Sequence, residues 1–403
     1  DEGFVDDPLF IANRVENRTR FAQARWRHRW DATNATTVQA YVNEHRTRER
    51  FAQEIRLAEG VTGQDFVAAA LATGAIDNDL LEARPRRFVN EVRRLDLEVS
   101  HTTGRPDLWR LSLGGSWRRD RVRSRLILGD DDPRVSRLTR AFANLEWRPH
   151  RRLTVNAGLM GEHNDVTATS WSPRLAAHLH TVPGQALRAV VSRAHRTPVL
   201  FENDARMFLD TSAVARDAGA ALEAFGLPRE RLPDLTIPMF IGPGDLEGET
   251  ITSREVGYVA GLPEHGLHLD VRYFHERLTD LVDTEETVER GIDFLSFANA
   301  DRATIHGWEL GLDWQPTPRA LLWLSYANAR ADSNDPRKAR AVPEHSAALL
   351  GLYRFPGDFT ASGAYYWVGG HAWLGDGTKD QPPIRRLDLR LAKAWRVGGS
   401  RVE

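Results

Sequence analysis

Cysteine is absent from the 403 residues, and only three of the 54 basic side chains are lysine (Lys338, Lys379 and Lys393). Without cysteine there is no disulfide framework, no thiolate chemistry and no cysteine-ligated metal, a composition that suits an oxidising compartment. The bias of arginine over lysine reads as genome composition rather than chemistry. No apolar run approaches the roughly 18 residues of a membrane helix; the longest, from Val67 to Ile76, is interrupted by Thr73. Excess charge of one sign is missing too. The 54 basic and 56 acidic residues leave a net charge of −2, so no electrostatic footprint for a phosphate backbone exists and nucleic acid is not expected as a partner. The opening Asp-Glu-Gly-Phe-Val-Asp-Asp has neither the basic start nor the apolar core of a signal peptide. Catalytic signatures are also lacking: there is no Gly-x-Ser-x-Gly, no His-Glu-x-x-His and no Gly-Lys-Thr/Ser, and Gly242-Pro243-Gly244 has no third glycine in register. Neither an enzyme nor a bound cofactor is expected.

What the sequence has is period-two alternation, which puts every second side chain on one face of a strand. Leu95, Leu97 and Val99 alternate with Asp96, Glu98 and Ser100; Leu153, Val155, Ala157 and Leu159 alternate with Thr154, Asn156 and Gly158. The same holds for Leu267 to Tyr273, for Trp308 to Trp314 and for Leu387 to Leu391. About fifteen such segments begin near Thr19, Thr36, Arg87, Leu108, Arg137, Leu153, Trp171, Ala186, Thr252, Leu267, Ala298, Ala320, Ser346, Phe359 and Arg385. Many exceed the five or six residues usual in soluble sheets and reach the roughly nine to eleven that a tilted strand needs to cross a bilayer.

The connections alternate in length. Short turns fall at Asp31 to Ala35, Pro149 to Arg151, Pro183 to Gln185, Pro263 to His265, Pro316 to Pro318, Pro356 to Asp358 and Val397 to Ser400. Long links run from Phe51 to Pro85, Ile127 to Ser136, Val199 to Glu249, Asp283 to Ser296, Ala331 to Glu344 and His371 to Pro383. Short on one rim and long on the other describes an antiparallel transmembrane β-barrel with tight periplasmic turns and extended outer loops. Trp26, Trp30, Trp117, Trp147, Trp171, Trp314, Trp367, Trp373 and Trp395 fall near strand ends, where interfacial girdles sit. Helices are expected in two outer loops, over Gly63 to Thr73 and from Asp210 or Thr211 to Phe225. A mean hydropathy of −0.46 decides little, because a barrel with a wet lumen needs only half of each strand to be apolar.

Ser172-Pro173-Arg174-Leu175, Val182-Pro183-Gly184-Gln185, Leu187-Arg188-Ala189 and the run from Ser192 to Glu202 closely resemble the barrel of TonB-dependent outer-membrane receptors. Ile251 to Tyr258, Asp270 to Phe274, Leu278 to Val282, Phe297 to Ala300, Ile305 to Leu310, Leu324 to Ala327, Val342 to Ala347 and Arg386 to Arg390 follow in the family's order. The motifs cover residues 169–396; residues 1–168 match only in rhythm. The resemblance implies an all-β barrel domain over residues 1–403, with about fifteen of the family's roughly 22 strands present. The family's N-terminal plug domain and its last two strands have no counterpart here, which marks the chain as a fragment. It further implies a receptor in the Gram-negative cell outer membrane for energy-coupled uptake of a scarce nutrient such as a ferric siderophore, haem or cobalamin. Its partners would be the TonB energy-coupling complex, through the missing plug, outer-membrane lipid and a metal chelate or similar small ligand. A passive porin-type channel and a soluble β-rich ligand-binding protein are the alternatives.

Within that frame Arg196, Phe201, Glu202 and Trp171 are outer-rim candidates for ligand contact. The blander reading, favoured for the segment from Ser192 to Glu202, is a strand end at which Pro198 stops the ladder and Arg196 pairs with Glu202. Glu255 and Glu309 are expected to point into the lumen towards arginines or a plug. His178 and His180 share a strand face but lack a third ligand, so no metal site is expected. Asp130, Asp131 and Asp132, and Asp332, Asn334 and Asp335, lack the glycine and terminal glutamate of a calcium loop and read as solvated turns. The longest outer link, Val199 to Glu249, is the expected principal ligand-contacting loop.

Overall fold

The computed structural model describes residues 10–53, 86–210, 236–289, 292–373, 376–398 and 400–402. They form a 17-stranded sheet and two small hairpins. Fifteen strands succeed one another as antiparallel neighbours. The run begins with β1 (Phe10–Arg29), β2 (Ala35–Gln53), β3 (Arg86–Arg105), β4 (Trp109–Ser124) and β5 (Arg134–His150), and continues with β6 (Leu153–Asn164), β7 (Ala168–Val182) and β8 (Gln185–Arg196). After a hairpin of β9 (Arg206–Asp210) and β10 (Thr236–Ile241), β8 pairs with β11 (Glu249–Leu262). The series ends with β12 (Leu267–Glu289), β13 (Ile292–Thr317), β14 (Ala320–Ser333), β15 (His345–Phe355), β16 (Phe359–Val368) and, past the hairpin of β17 (His371–Trp373) and β18 (Asp376–Gln381), β19 (Ile384–Lys393). The remaining pair, β20 (Trp395–Val397) and β21 (Ser400–Val402), turns at Gly398. Each of the fifteen expected segments has its strand.

Register converts the alternation into two faces. In the middle of the sheet Trp109, Trp147 and Val155 lie side by side, as do Leu267, Trp314 and Leu322, and Leu324, Leu349, Tyr365 and Leu387. This face carries the exposed apolar side chains: Leu97, Leu175, Val256, Trp308 and Leu389 are each more than two fifths exposed. The opposite face carries arginine, aspartate and glutamate. An exposed apolar belt around a charged interior inverts the soluble arrangement and fits lipid outside and water within. No helix among the described residues is long and apolar enough to cross a membrane.

The short rim is built from proline, glycine and Asx turns. Gly184 takes φ 78°, and a Cβ there would meet the Gly261 carbonyl oxygen of the adjacent turn at 2.2 Å, so only glycine fits. At Asp31 the carboxylate accepts bonds from the Thr33 and Asn34 amides, at 2.7 and 2.8 Å, closing the turn between β1 and β2. Long-rim connections carry short helices: α1 (Arg125–Leu128), α2 (Leu200–Asp204) and α3 (Pro336–Arg340). The helices expected over Gly63 to Thr73 and from Asp210 or Thr211 to Phe225 lie outside the described residues. One expected link needs correction. Residues 283–296 are mostly strand, because β12 runs to Glu289 and β13 starts at Ile292, pairing Asp283 with Ala298 and Glu286 with Leu295. The acidic run from Asp283 to Glu286 hid a continuation whose β-branched residues, Val282, Thr284, Thr287 and Val288, favour strand.

Candidate functional site at the long-loop rim

The inward face is laced by arginine–carboxylate pairs between strands, most of them neighbours. Arg94 donates to Asp120 at 2.7 and 2.9 Å, Arg118 to Asp96 at 2.9 Å and Arg140 to Glu162 at 2.6 Å. Further round, Arg188 makes a bidentate pair with Asp270 at 2.8 and 3.1 Å, and its side chain lies over Gly257, where a Cβ would meet its Nε at 2.8 Å. Arg272 bridges the two glutamates expected in the lumen, donating to Glu309 at 2.7 Å and to Glu255 at 3.3 Å. Planar guanidinium forks suit this role because one arginine engages carboxylates on two strands.

At the top of this face the described parts of the link from β8 to β11, residues 197–210 and 236–248, pack onto the rim. Arg196 and Glu249 stand opposite each other in the ladder and form a bidentate pair, while Arg196 also reaches Glu202 of α2 at 3.0 Å. Glu202 in turn accepts from the Val199 amide at 2.8 Å, and Glu249 from the Val282 amide at 2.8 Å. Four segments therefore converge on one arginine. Below α2 the Phe201 ring packs against Phe240 of β10 and Phe297 of β13, with centroids 5.5 and 5.4 Å away. Asn203 accepts from the Leu246 amide at 3.1 Å, and Asn299 accepts from the Glu247 amide at 2.8 Å while donating to the Glu247 and Asp280 carbonyls. Thr197 donates to Glu162 at 3.0 Å, tying the rim to the inward pair with Arg140.

Three sequence candidates, Arg196, Phe201 and Glu202, are thus brought together, in the arrangement anticipated for a strand end with an Arg196–Glu202 pair. The Arg196–Glu202 pair and the packing of the Phe201 ring hold α2 in place. Trp171 stands apart: its ring covers Gly161 on the outward face, and only its carbonyl joins the rim, accepting from His195 Nε2 at 3.1 Å. His178 and His180 lie on the inward face, His180 bonded to Thr154 at 3.2 Å, and no group of three metal-ligating side chains occurs among the described residues.

The acidic turns have protein partners. Asp130 accepts from Arg134 at 2.8 Å, and that hydrogen bond holds its carboxyl below the usual carboxylate range. Asp335 caps α3 through the Arg337 amide at 2.9 Å and is held low by the Arg337 side chain. A cluster without a sequence signal beyond a rare lysine is Lys338, which reaches Asp283 at 2.8 Å and Asp301 at 2.6 Å. Partial burial works against its charge, but the two carboxylates outweigh it and raise its pKa above the ordinary 10.5. A rim cavity of about 510 Å³ lies beside it, lined by Arg330, Arg340, Glu344, His371 and Asp380.

Comparison with known proteins gives this geometry a family. The ferric enterobactin receptor PfeA of Pseudomonas aeruginosa superposes with a TM-score of 0.68 at 14% identity, over 93% of this chain and 54% of that one. The siderophore receptor PirA of Acinetobacter baumannii gives 0.59 at 13% identity, over 96% and 65%, and the copper transporter OprC 0.61 at 15%, over 94% and 57%. The chain thus spans between half and two thirds of the length of these receptors, and at such identities the likeness shows the fold. No curated protein sequence matches. The family model described as TonB dependent receptor-like, beta-barrel, matches residues 2–402, and the chain belongs to that family.

Proposed function

We propose that the protein works as an outer-membrane receptor for energy-coupled, TonB-dependent uptake of a scarce nutrient, a metal chelate of the ferric siderophore, haem or cobalamin kind. The observation that carries this reading is the long-loop rim, where α2, at the start of the β8–β11 connection, is pinned to the strand ends at the top of an arginine-rich inward face by the Arg196–Glu202–Glu249 cluster. A rim of loops above a charged conduit is suited to capture and release. Arginines and aromatics at the rim give charge and stacking contacts to an anionic chelate. Arg196, Phe201 and Glu202 act in this scheme by setting the loop's position, with ligand contact falling to the loop surface between Val199 and Glu249. Of the structural neighbours one is a ferric enterobactin receptor, one a siderophore receptor and one a copper transporter, which supports a metal-bearing cargo.

The test is uptake of radiolabelled iron by iron-starved cells carrying or lacking the complete gene, with and without an uncoupler. Uptake that needs both the gene and the proton-motive force is expected. Uptake that persists after uncoupling would favour the porin alternative, and iron uptake independent of the gene would remove iron chelates from the proposal.

A further inference from the structure

At the long-loop rim β12 and β13 outrun their neighbours. β11 pairs with β12 no further than Thr279 and β14 with β13 no further than Ala303, so residues 281–289 and 292–301 continue as a hairpin of their own. One edge of that hairpin is taken. β10 joins the β13 side in parallel, with Phe240 opposite Leu295, Ile241 opposite Ser296 and the Ser296 hydroxyl donating to the Ile241 carbonyl at 2.8 Å. The β12 edge has no strand beside it among the described residues. Two amides show which way its backbone points: Val282 donates to Glu249 of β11 at 2.8 Å and Thr284 to the Asp283 carboxylate at 2.8 Å, neither of them across the ladder to β13. Hydrogen-bonding direction alternates along an antiparallel strand, so Glu286 and Val288 present their N–H and C=O groups to the same open side.

An open edge of this kind is a template for another strand, and folded proteins usually blunt it with lysine, proline or a bulge. None interrupts residues 284–289. Thr284, Thr287 and Val288 favour an extended backbone, and the stretch offers about 20 Å of ladder, the length of an ordinary strand. Charge then selects what can pair. Asp280, Asp283, Glu285, Glu286 and Glu289 are the charged residues between positions 280 and 289, and all are acidic. Lys338 engages Asp283, while Glu285 and Glu286 are exposed and have no cation within ion-pair distance among the described residues. A second copy of the chain would set glutamate against glutamate across the new ladder, and like charges in opposed positions destabilise a sheet. A strand carrying lysine or arginine sets opposite charges in the same places.

We infer that the open edge of β12 over residues 284–289 is a docking site for an extended, basic segment of another polypeptide, which adds as a further strand beside β12. The backbone of that segment completes the hydrogen bonding of Glu286 and Val288, and its cationic side chains pair with Glu285 and Glu286. β10 already joins the same hairpin side-on, at the opposite edge. The Phe201, Phe240 and Phe297 packing lies on the β10 and β13 flank, so docking at β12 leaves it in place.

The complete receptor in neutral-detergent micelles is titrated with a fluorescent peptide of alternating lysine and valine, about six residues long. The same peptide N-methylated at every amide, and one with glutamate in place of lysine, are the comparisons; anisotropy reports binding and far-UV circular dichroism reports folding. The parent is expected to bind the plain peptide, and to bind at least about tenfold more weakly the N-methylated one, which keeps the charge but loses the ladder hydrogen bonds. The glutamate peptide is expected not to bind. V288P removes an edge amide without touching the β13 ladder and should weaken binding about fivefold, as should E285Q/E286Q, whereas E264Q on the opposite rim should match the parent. Equal binding of plain and N-methylated peptides, or equal binding by the parent and both edge variants, overturns the inference, because charge alone or another surface then accounts for the affinity. A folded parent that binds neither peptide overturns it too, and receptor dimers abolished by V288P assign the edge to a second copy instead. Each of these outcomes leaves the uptake reading standing. If V288P fails to fold, E285Q/E286Q carries the comparison, since both side chains are exposed.

Discussion

Lys338 shows how one side chain can hold a rim together. Asp301 is almost wholly buried and depends on Lys338 and on the Ser333 hydroxyl, 3.1 Å away, for compensation. Replacing Lys338 with methionine leaves that carboxylate without its cation, at a cost of about 2 kcal/mol. Hydrogen exchange should read the change as faster exchange in α3 and the neighbouring ends of β13 and β14, with the mid-sheet unaffected; unchanged exchange there would contradict the assignment. Because its pKa is raised in the folded protein, the contribution of Lys338 is fully present below 10.5 and is lost as pH climbs through the higher folded value. Asp31 works in the other sense. The Thr33 amide first, then the Asn34 and Thr33 side chains, hold its pKa at about 2 against an ordinary 3.8. The turn's contribution is therefore present above 3.8 and lost as pH falls through about 2. A carboxyl-carbon titration of Asp31 with a midpoint near 2 is expected, and a midpoint at or above 3.8 would show that the turn does not hold it.

At the scale of elements, α2 and the β9–β10 hairpin are held to the barrel by a polar cluster and three rings. Arg196→Ala should free Glu202 and Glu249 together, so that limited proteolysis between 197 and 205 speeds up severalfold while the strands resist. Because Arg196 is nearly half exposed, the global stability change stays near 1 kcal/mol. Phe201→Ala should have the same proteolytic phenotype through lost packing; a site cut no faster in either variant would separate the cluster from the loop. The strands themselves were legible in the sequence because lipid and water impose a period of two on every crossing, from Leu95–Val99 to Leu387–Leu391. The rim was not. Phe201, Phe240 and Phe297 are far apart in sequence and carry no periodicity, and the Lys338 cluster unites α3 with two strands that precede it. Nor does alternation mark where strands end above the membrane, so the acidic stretch in β12 read as a link. Arg196 with Glu202 was readable because they stand only six positions apart, across one turn; Glu249, the second carboxylate on Arg196, became visible only through the β8–β11 register.

For the whole molecule, the claim is that one face of the fifteen-strand sheet meets lipid and the other an aqueous bore. Leu349→Arg, in mid-strand on the outward face, should cost about 2–4 kcal/mol in denaturant titrations of the bilayer-folded protein, and Ser362→Arg on the inward face of the next strand much less. Removing residues 199–249 from the complete receptor should weaken both ligand affinity and uptake; unchanged values would move the ligand contacts to another loop. The most direct measurement exploits the missing cysteines. Single cysteines placed in turn at Leu95, Asp96, Leu97, Glu98, Val99 and Ser100 are spin-labelled in the membrane-reconstituted protein, and collisions with oxygen and with a water-soluble nickel chelate are recorded. Oxygen contact is predicted to peak at 95, 97 and 99 and nickel contact at 96, 98 and 100; two faces equally open to the nickel chelate, or equally closed to oxygen, would contradict the account.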